Sequence, residues 1–146
     1  MKNLIMIFSL ICLFNCSSKD SGSINLNNTS WGTIYDKDIL GDYIELYFTE
    51  ENVYYFEGAL GLTKLEYKIE NGVFSTRFSP DSSFTKRSEI RLKKDTLYLK
   101  EIGGIRKVEN IIIKNNTIKD LIEGDIDESS FRRYFDERLL QAIKKK

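Results

Sequence analysis

Few side chains in this chain can carry nucleophilic, acid–base or metal chemistry. The 146 residues include no histidine and only two cysteines, Cys12 and Cys16. Zinc sites, Ser/His/Asp triads and Cys/His nucleophile pairs therefore lack essential parts. Acid–base catalysis by carboxylates needs two groups whose environments separate their pKa values, and the sequence singles out no such pair. We therefore expect no catalytic residues, no cofactor and a protein that is not an enzyme.

An acidic cluster before the C-terminal segment begins like a calcium-binding loop. Asp125, Asp127 and Ser129 have the alternate spacing of the first three ligand positions. The sixth position is Ser130 instead of glycine, and Asp136 occupies the place where a bidentate glutamate is needed. Helix capping by Asp127 explains most of this cluster, so we expect no metal site.

The charge balance argues against nucleic acid as a partner. Lys and Arg together number 22, Asp and Glu together number 22, and the formal net charge is +0. Binding to a phosphate backbone depends on clustered cations, which this composition does not indicate. The hydrophobic fraction of 41% excludes a disordered chain, and the length suits one folded domain.

The N-terminus predicts a secretion signal that ends at a cysteine. One lysine precedes an apolar run over residues 4–14, which is shorter than the about 20 residues that a membrane-spanning helix needs. The sequence Leu13-Phe14-Asn15-Cys16 resembles the looser lipobox of Bacteroidetes lipoproteins. The resemblance implies that residues 1–15 are removed, that Cys16 carries the lipid, and that the protein is anchored at the outer membrane of a bacterial cell envelope. A plain secretory signal with an incidental thiol is the alternative.

A second short motif bears on the same envelope setting. Asp95-Thr96-Leu97 is similar to the three-residue acceptor of O-glycosylation in Bacteroidetes envelopes. The same residues suit an ordinary hairpin turn, so both interpretations of Thr96 stay open.

The remainder of the chain predicts a lipidated flexible tether over 16–28 and a β domain over 29–146. Short β-type runs follow one another about every ten residues with polar turns between them, which is typical of an antiparallel sandwich or barrel. We expect an up-and-down meander that closes into a barrel of about eight strands. The runs are 30–36, 42–48, 52–58, 62–70, 73–79, 86–93, 96–102, 105–113 and, as an uncertain ninth, 117–122.

Three turn sequences fix strand registers that agree with one another. Asn71-Gly72 is the strongest two-residue hairpin pattern, and it places Ile69 opposite Phe74. Turns at Lys94-Asp95 and Gly103-Gly104 likewise align apolar residues on one face. The further pairs expected from these turns are Tyr67 with Thr76, Leu65 with Phe78, Leu92 with Leu97, Ile90 with Leu99, Leu99 with Val108, and Glu101 with Arg106.

The hairpin around Glu50-Glu51 predicts a face that needs a cover. Phe48 would face Val53 and Leu46 would face Tyr55 in the interior, so the outer face carries Tyr43, Tyr47, Tyr54 and Phe56. The spacing of Phe131, Tyr134, Phe135, Leu139, Ala142 and Ile143 predicts an amphipathic helix over 128–145 with Asp127 as its N-cap. We expect this helix to dock on the sheet through Phe131, Tyr134 and Phe135, with the aromatic outer face as a candidate surface.

Trp31 in the first strand, the consecutive meander and the C-terminal helix resemble lipocalin-like lipoproteins of Bacteroidetes over residues 26–143. The resemblance implies an interior that binds a small apolar or amphipathic ligand. The candidate ligand-binding residues are Leu46, Tyr55, Tyr67, Phe74 and Leu99, within a predicted lining that also includes Ile44, Leu65, Phe78 and Ile90.

A protein-interaction module is the alternative function. Aromatic residues are enriched at the centres of protein interfaces, so an exposed aromatic sheet face would suit an immunity protein or an accessory subunit of an envelope complex. The candidate partner-binding residues are Tyr43, Tyr47, Tyr54 and Phe56. A filled barrel with this face exposed would favour the partner, and a cavity of roughly 300 Å³ with an open mouth would favour the ligand.

Overall fold

The computed structural model of the chain describes residues 24–34, 43–103 and 107–144. Within these residues it contains eight strands and two helices, and no helix is long and apolar enough to cross a membrane. The predicted signal segment, Cys16 and Arg106 lie outside the described residues. The elements are β1 (Thr29–Ile34), β2 (Ile44–Phe48), β3 (Asn52–Glu57), β4 (Gly61–Glu70), β5 (Val73–Arg77), β6 (Thr85–Lys93), β7 (Thr96–Glu101), β8 (Lys107–Ile113), α1 (Ile118–Glu123) and α2 (Glu128–Lys144).

The strands form a closed barrel in which each strand pairs antiparallel with the next along the chain. β1 closes the barrel by pairing with β8 as well as with β2, so that Trp31 lies between Leu46 and Ile112. Closure leaves no sheet edge, which satisfies the backbone hydrogen-bonding groups all around the barrel. The predicted fold class, an up-and-down antiparallel barrel with a C-terminal helix, is confirmed.

The tight turns set the registers that the sequence predicts. Asn71 and Gly72 both have positive φ, at 52° and 73°, as a type I′ turn requires. The structure pairs Ile69 with Phe74, Tyr67 with Thr76, Leu92 with Leu97, Ile90 with Leu99, Leu99 with Val108, Phe48 with Val53, and Leu46 with Tyr55. All of these pairs match the predicted ones.

Two predictions about single segments are wrong. The run 117–122 is helical, because Thr117 and Asp120 form a capping box and Gly124, at φ 80°, ends α1 in the left-handed conformation. Phe78 is 73% exposed, because β5 ends at Arg77 and the chain turns away before Phe78 could face Leu65. The predicted register is correct, but the ladder ends at the pair of Glu66 with Arg77 and does not reach Leu65 and Phe78.

The two ends of the barrel differ. At the hairpin end, which carries the turns at 49–51, 71–72 and 94–95, Leu26 is 1% exposed and belongs to the interior cluster. Asn28 N donates to the Phe48 carbonyl at 2.8 Å and fixes this segment to β2. The domain therefore begins before residue 29, since 24–28 pack against the barrel. We call the opposite end, with the connections 58–60 and 78–84, the loop end.

Both helices lie against the outer wall of the barrel. Asp127 caps α2 as predicted, because its Oδ1 accepts a 2.7 Å hydrogen bond from Ser130 N. Phe131 and Phe135 are buried, at 0% and 3% exposure, and pack with Ile118 of α1 against aromatic side chains of the sheet. The predicted docking of the helix through Phe131 and Phe135 is confirmed, whereas Tyr134 lies outside this buried cluster.

Candidate functional site

The barrel interior contains all five of the candidate ligand-binding residues. Leu46 and Phe74 are buried there, at 3% and 2% exposure, while Tyr55, Tyr67 and Leu99 are partly buried against the same cluster. Each lies opposite another inward residue on a neighbouring strand, which is why the alternating pattern could identify them. The structure therefore brings together the residues that were expected to line an interior site, with Phe78 as the exception already noted.

Burial varies along the interior: the residues without exposed surface lie at its hairpin end, although Leu92, beside the turn at 94–95, is 41% exposed there. Phe48 and Val53, beside the turn at 49–51, have 0% exposure. Ile44, Tyr55 and Leu99, which lie nearer the loop end, keep part of their surface exposed. Eight-stranded barrels either fill with side chains or hold one small ligand. The loop-end half, where Ile44, Tyr55 and Leu99 are all partly exposed, is therefore one part of the interior where a ligand could be held.

Polar side chains on the inner wall accompany this apolar surface. Asn110 is 1% exposed, and its Nδ2 donates to the Leu97 carbonyl at 3.1 Å. Its Oδ1 accepts a 3.2 Å hydrogen bond from the Thr33 hydroxyl, which lies opposite it in β1. No motif in the sequence marks Asn110 or Thr33, because their pairing depends on closure between β1 and β8. Both groups are satisfied within the protein, so they shape the wall without being aimed at a ligand.

A bulge in β6 adds a cation to the inner wall. Phe74 pairs with Ser88, and the next pair on the same strands is Ser75 with Lys86, so Arg87 is the extra residue. Bulges redirect a side chain relative to regular alternation. Here the bulge takes Arg87 out of the alternating pattern of its strand.

The Arg87 side chain reaches the interior face. Its Nε donates a 2.9 Å hydrogen bond to Oγ1 of Thr76, which is 1% exposed and lies opposite the inward residue Tyr67. Burial raises the pKa of the Tyr55 phenol well above its usual value, and the positive charge of Arg87 works in the opposite direction. Tyr55 is therefore a neutral hydroxyl at physiological pH, facing an interior that contains a cation.

The aromatic outer face is covered by the chain itself. Tyr43, Tyr47 and Phe56 are 5%, 3% and 1% exposed beneath the helices, and Tyr54 is partly buried at the margin of the same cluster. The Phe56 ring lies 4.7 Å from that of Phe131 in an edge-to-face arrangement. The C-terminal helix therefore covers the surface that was its candidate docking site, together with α1, and the exposed face required by the alternative function is absent among the described residues. Binding of a partner by this protein stays a prediction, but these side chains are not available without displacing the helices.

A buried ion pair joins the outer wall to α2, and the sequence gave no indication of it. Glu45 in β2 is 1% exposed, and its carboxylate accepts hydrogen bonds from Arg138 Nε at 2.7 Å and Nη2 at 2.9 Å. The Tyr43 hydroxyl donates to the same carboxylate at 2.9 Å. Burial raises the pKa of Glu45, while the Arg138 guanidinium favours its charged form. The pair fixes the position of the helix on the barrel.

Another concave surface lies on the outer wall of β6 and β7. It encloses about 350 Å³ and is lined by Glu89, Arg91, Tyr98 and Lys100. Lys100 Nζ lies 3.5 Å from Glu89 Oε2, in an ion pair whose two side chains are about half exposed, at 51% and 47%. Exposed pairs of this kind are common on solvated faces. We therefore place the candidate site in the barrel interior.

The fold and this interior define a small closed antiparallel β-barrel with an apolar interior and an outer helical cover. Comparison of the chain with protein-family models, with curated proteins and with solved structures gave no match in any of the three.

Proposed function

We propose that the barrel binds a small apolar or amphipathic ligand in the loop-end half of its interior. The observation that carries this proposal is the contrast between the fully buried residues at the hairpin end, such as Phe48, and the partly exposed apolar residues Tyr55 and Leu99. When a ligand covers apolar surface that is in contact with water, the free energy of the system falls, and this favours binding. The role requires no reaction, so we propose a binding protein and not an enzyme.

We further propose that the protein is a lipocalin-like lipoprotein held at the outer membrane of a bacterial cell envelope by lipid on Cys16. The lipobox-like sequence before Cys16 supports the anchor, and the position of Trp31 in the first strand of a consecutive barrel supports the resemblance. Two or more acyl chains give stable membrane attachment. A binding protein at this location would handle a ligand close to the membrane surface.

Native mass spectrometry of the protein purified from its own host tests the ligand. We expect a small molecule to be retained and to be released on unfolding. A matched pair of variants then locates it: Leu99→Trp adds an indole to the inner wall, and Tyr98→Trp adds one to the outer wall of the same strand. We expect only Leu99→Trp to lose the molecule. Retention by Leu99→Trp, or a wild-type protein without any bound molecule, would contradict the proposal.

A further inference from the structure

Arg87 belongs to neither the interior hydrophobic cluster nor the cluster beneath the helices. Its side chain nevertheless reaches the inner wall of the barrel. The register shift between Phe74 and Ser75 makes Arg87 the unpaired residue of a bulge. The bond from its Nε to the buried Thr76 hydroxyl then holds the guanidinium against the inner wall. Arg87 remains solvent-exposed overall, so a ligand that enters the interior can reach it.

The charges around Arg87 leave it suited to an outside anion. Among residues 24–34, 43–103 and 107–144, no carboxylate lies within ion-pair distance of Arg87. Glu57 and Glu101 end β3 and β7 at the same loop end, and Glu101 pairs with Ser88 next to the bulge. Their negative charge opposes any anion there, and this repulsion grows with the charge of the ligand, so that it is largest for a polyanion. A single anionic group is therefore the best match.

We propose that Arg87, oriented by Thr76, binds the anionic head group of a single-chain amphiphile whose apolar tail lies against Tyr55 and Leu99. The guanidinium is planar and presents its donors in a fork that fits two oxygens of a carboxylate or a phosphate. The Thr76 bond uses Nε and sets the plane of that fork. Because Phe48 and Val53 are fully buried toward the hairpin end, a short tail fits this part of the interior best. This inference rests on the ligand-binding function proposed above and adds the chemical class of the ligand.

Calorimetric titration with three amphiphiles that share one tail tests the inference. Octanoate and octyl phosphate carry anionic head groups, and octanol carries a neutral one. We expect both anions to bind the wild-type protein more tightly than octanol, and the ratio between them identifies the carboxylate or the phosphate as the preferred head. Arg87→Gln should weaken binding of the preferred anion by about tenfold or more and leave octanol within about twofold, since charge-assisted hydrogen bonds are lost only from the anion.

Lys86→Gln is the matched control, because it removes one positive charge from the neighbouring residue, which pairs with Ser75 on the regular ladder. We expect it to leave the preference for the anion unchanged. Arg87→Lys keeps the positive charge but lacks the planar set of guanidinium donors, so it should retain part of the preference for the anion over octanol. It serves as a second variant if Arg87→Gln does not fold. Equal binding of octanol and both anions by the wild type would overturn the role of Arg87 and leave the ligand-binding function intact. Absence of binding for all three would count against both proposals.

Discussion

Glu45 and Arg138 are 93 residues apart in the chain and form a two-point ion pair beneath α2, with N–O distances of 2.7 and 2.9 Å. Glu45 belongs to the barrel wall, and the side chain of Arg138 is 19% exposed. Arg138 Nη2 also donates to the Asn116 carbonyl at 3.1 Å, so it holds the chain between β8 and α1 as well. One side chain thus connects the barrel, the segment after its last strand and the C-terminal helix.

Removal of Arg138 should destabilise the protein strongly. Arg138→Met leaves the Glu45 carboxylate buried without its cation, and we expect the free energy of unfolding to fall by about 3–5 kcal/mol. Urea denaturation followed by circular dichroism measures this change. The double variant Glu45→Gln with Arg138→Met should recover a large part of the loss, because the buried charge is gone.

Arg132→Met is the control for this experiment. Arg132 pairs with Glu128 on the same helix at 2.9 Å, but the two side chains are 45% and 65% exposed. Exposed pairs of this kind contribute about 0.3–0.5 kcal/mol. Similar losses for Arg132→Met and Arg138→Met would show that the buried pair has no special weight.

Gly32 and Tyr43 should show strong coupling. A Cβ atom added at Gly32 would lie 2.6 Å from the Tyr43 hydroxyl oxygen, so Gly32→Ala must displace the group that donates to Glu45. We expect a loss of about 1–3 kcal/mol, as in other overpacked sites. Tyr43→Phe removes the hydroxyl, so Gly32→Ala should be less harmful in that background. Additive effects in a double-mutant cycle would contradict this contact.

Much of the barrel was predictable because its determinants are local. Asn71-Gly72 adopts the type I′ turn that its residues favour, and alternation then orients Ile69 and Phe74 inward. The bulge at Arg87 was not predictable, because it arises from a register shift between β5 and β6 that no residue type in the sequence indicates. Glu45 and Arg138 likewise carry no local indication of one another.

The errors in the prediction also have local physical causes. Residues 117–122 form a short segment with only three apolar residues, and so short a pattern does not distinguish a strand from a helix. The sequence features that indicate a helix here are the Thr117–Asp120 capping box at its start and Gly124 at its end, and the structure contains both caps. Phe78 was placed inside because β5 was expected to continue, but Arg77 binds Glu66 and the Pro80 carbonyl and the strand ends there.

Leu97 and Leu92 offer a test of how burial differs between two neighbouring residues on the same face of the barrel wall. They are cross-strand partners, and they are 0% and 41% exposed. Leu97→Ala should lower the free energy of unfolding by about 2–5 kcal/mol, and Leu92→Ala should cost clearly less, because its side chain retains water contact in the folded state. Chemical denaturation of both variants measures the difference. Equal costs would be inconsistent with the described burial.

The buried tyrosines should make the protein sensitive to alkali. Burial raises the pKa of Tyr55, and burial together with the Glu45 carboxylate raises that of Tyr43. An unfolded phenol ionises near pH 10, so the folded state holds these protons where the unfolded state releases them. Stability is therefore fully present below about pH 10 and falls as the pH rises above it.

Ultraviolet absorbance of tyrosinate, recorded together with circular dichroism, checks this prediction. We expect the two phenols to ionise only as the barrel unfolds. Tyr55→Phe should make the decline of stability above about pH 10 less steep, since one proton fewer is released on unfolding. Ionisation of Tyr55 near pH 10 in a protein with native circular dichroism would show that the phenol is not buried as described.

The proposed lipid attachment at Cys16 can be tested against other effects of losing a cysteine, because the chain contains a second cysteine close by. Cys16→Ala should abolish labelling by radioactive palmitate in the host and release the protein from the membrane fraction, since thiol alkylation and cleavage both require this residue in the lipobox pattern. Cys12 lies within the apolar run of the predicted signal segment, which is expected to be cleaved off. Cys12→Ala should therefore leave palmitate labelling and membrane association unchanged. Membrane retention of Cys16→Ala would refute the anchor, and loss of labelling in Cys12→Ala would show that cysteine content, not position, determines the result.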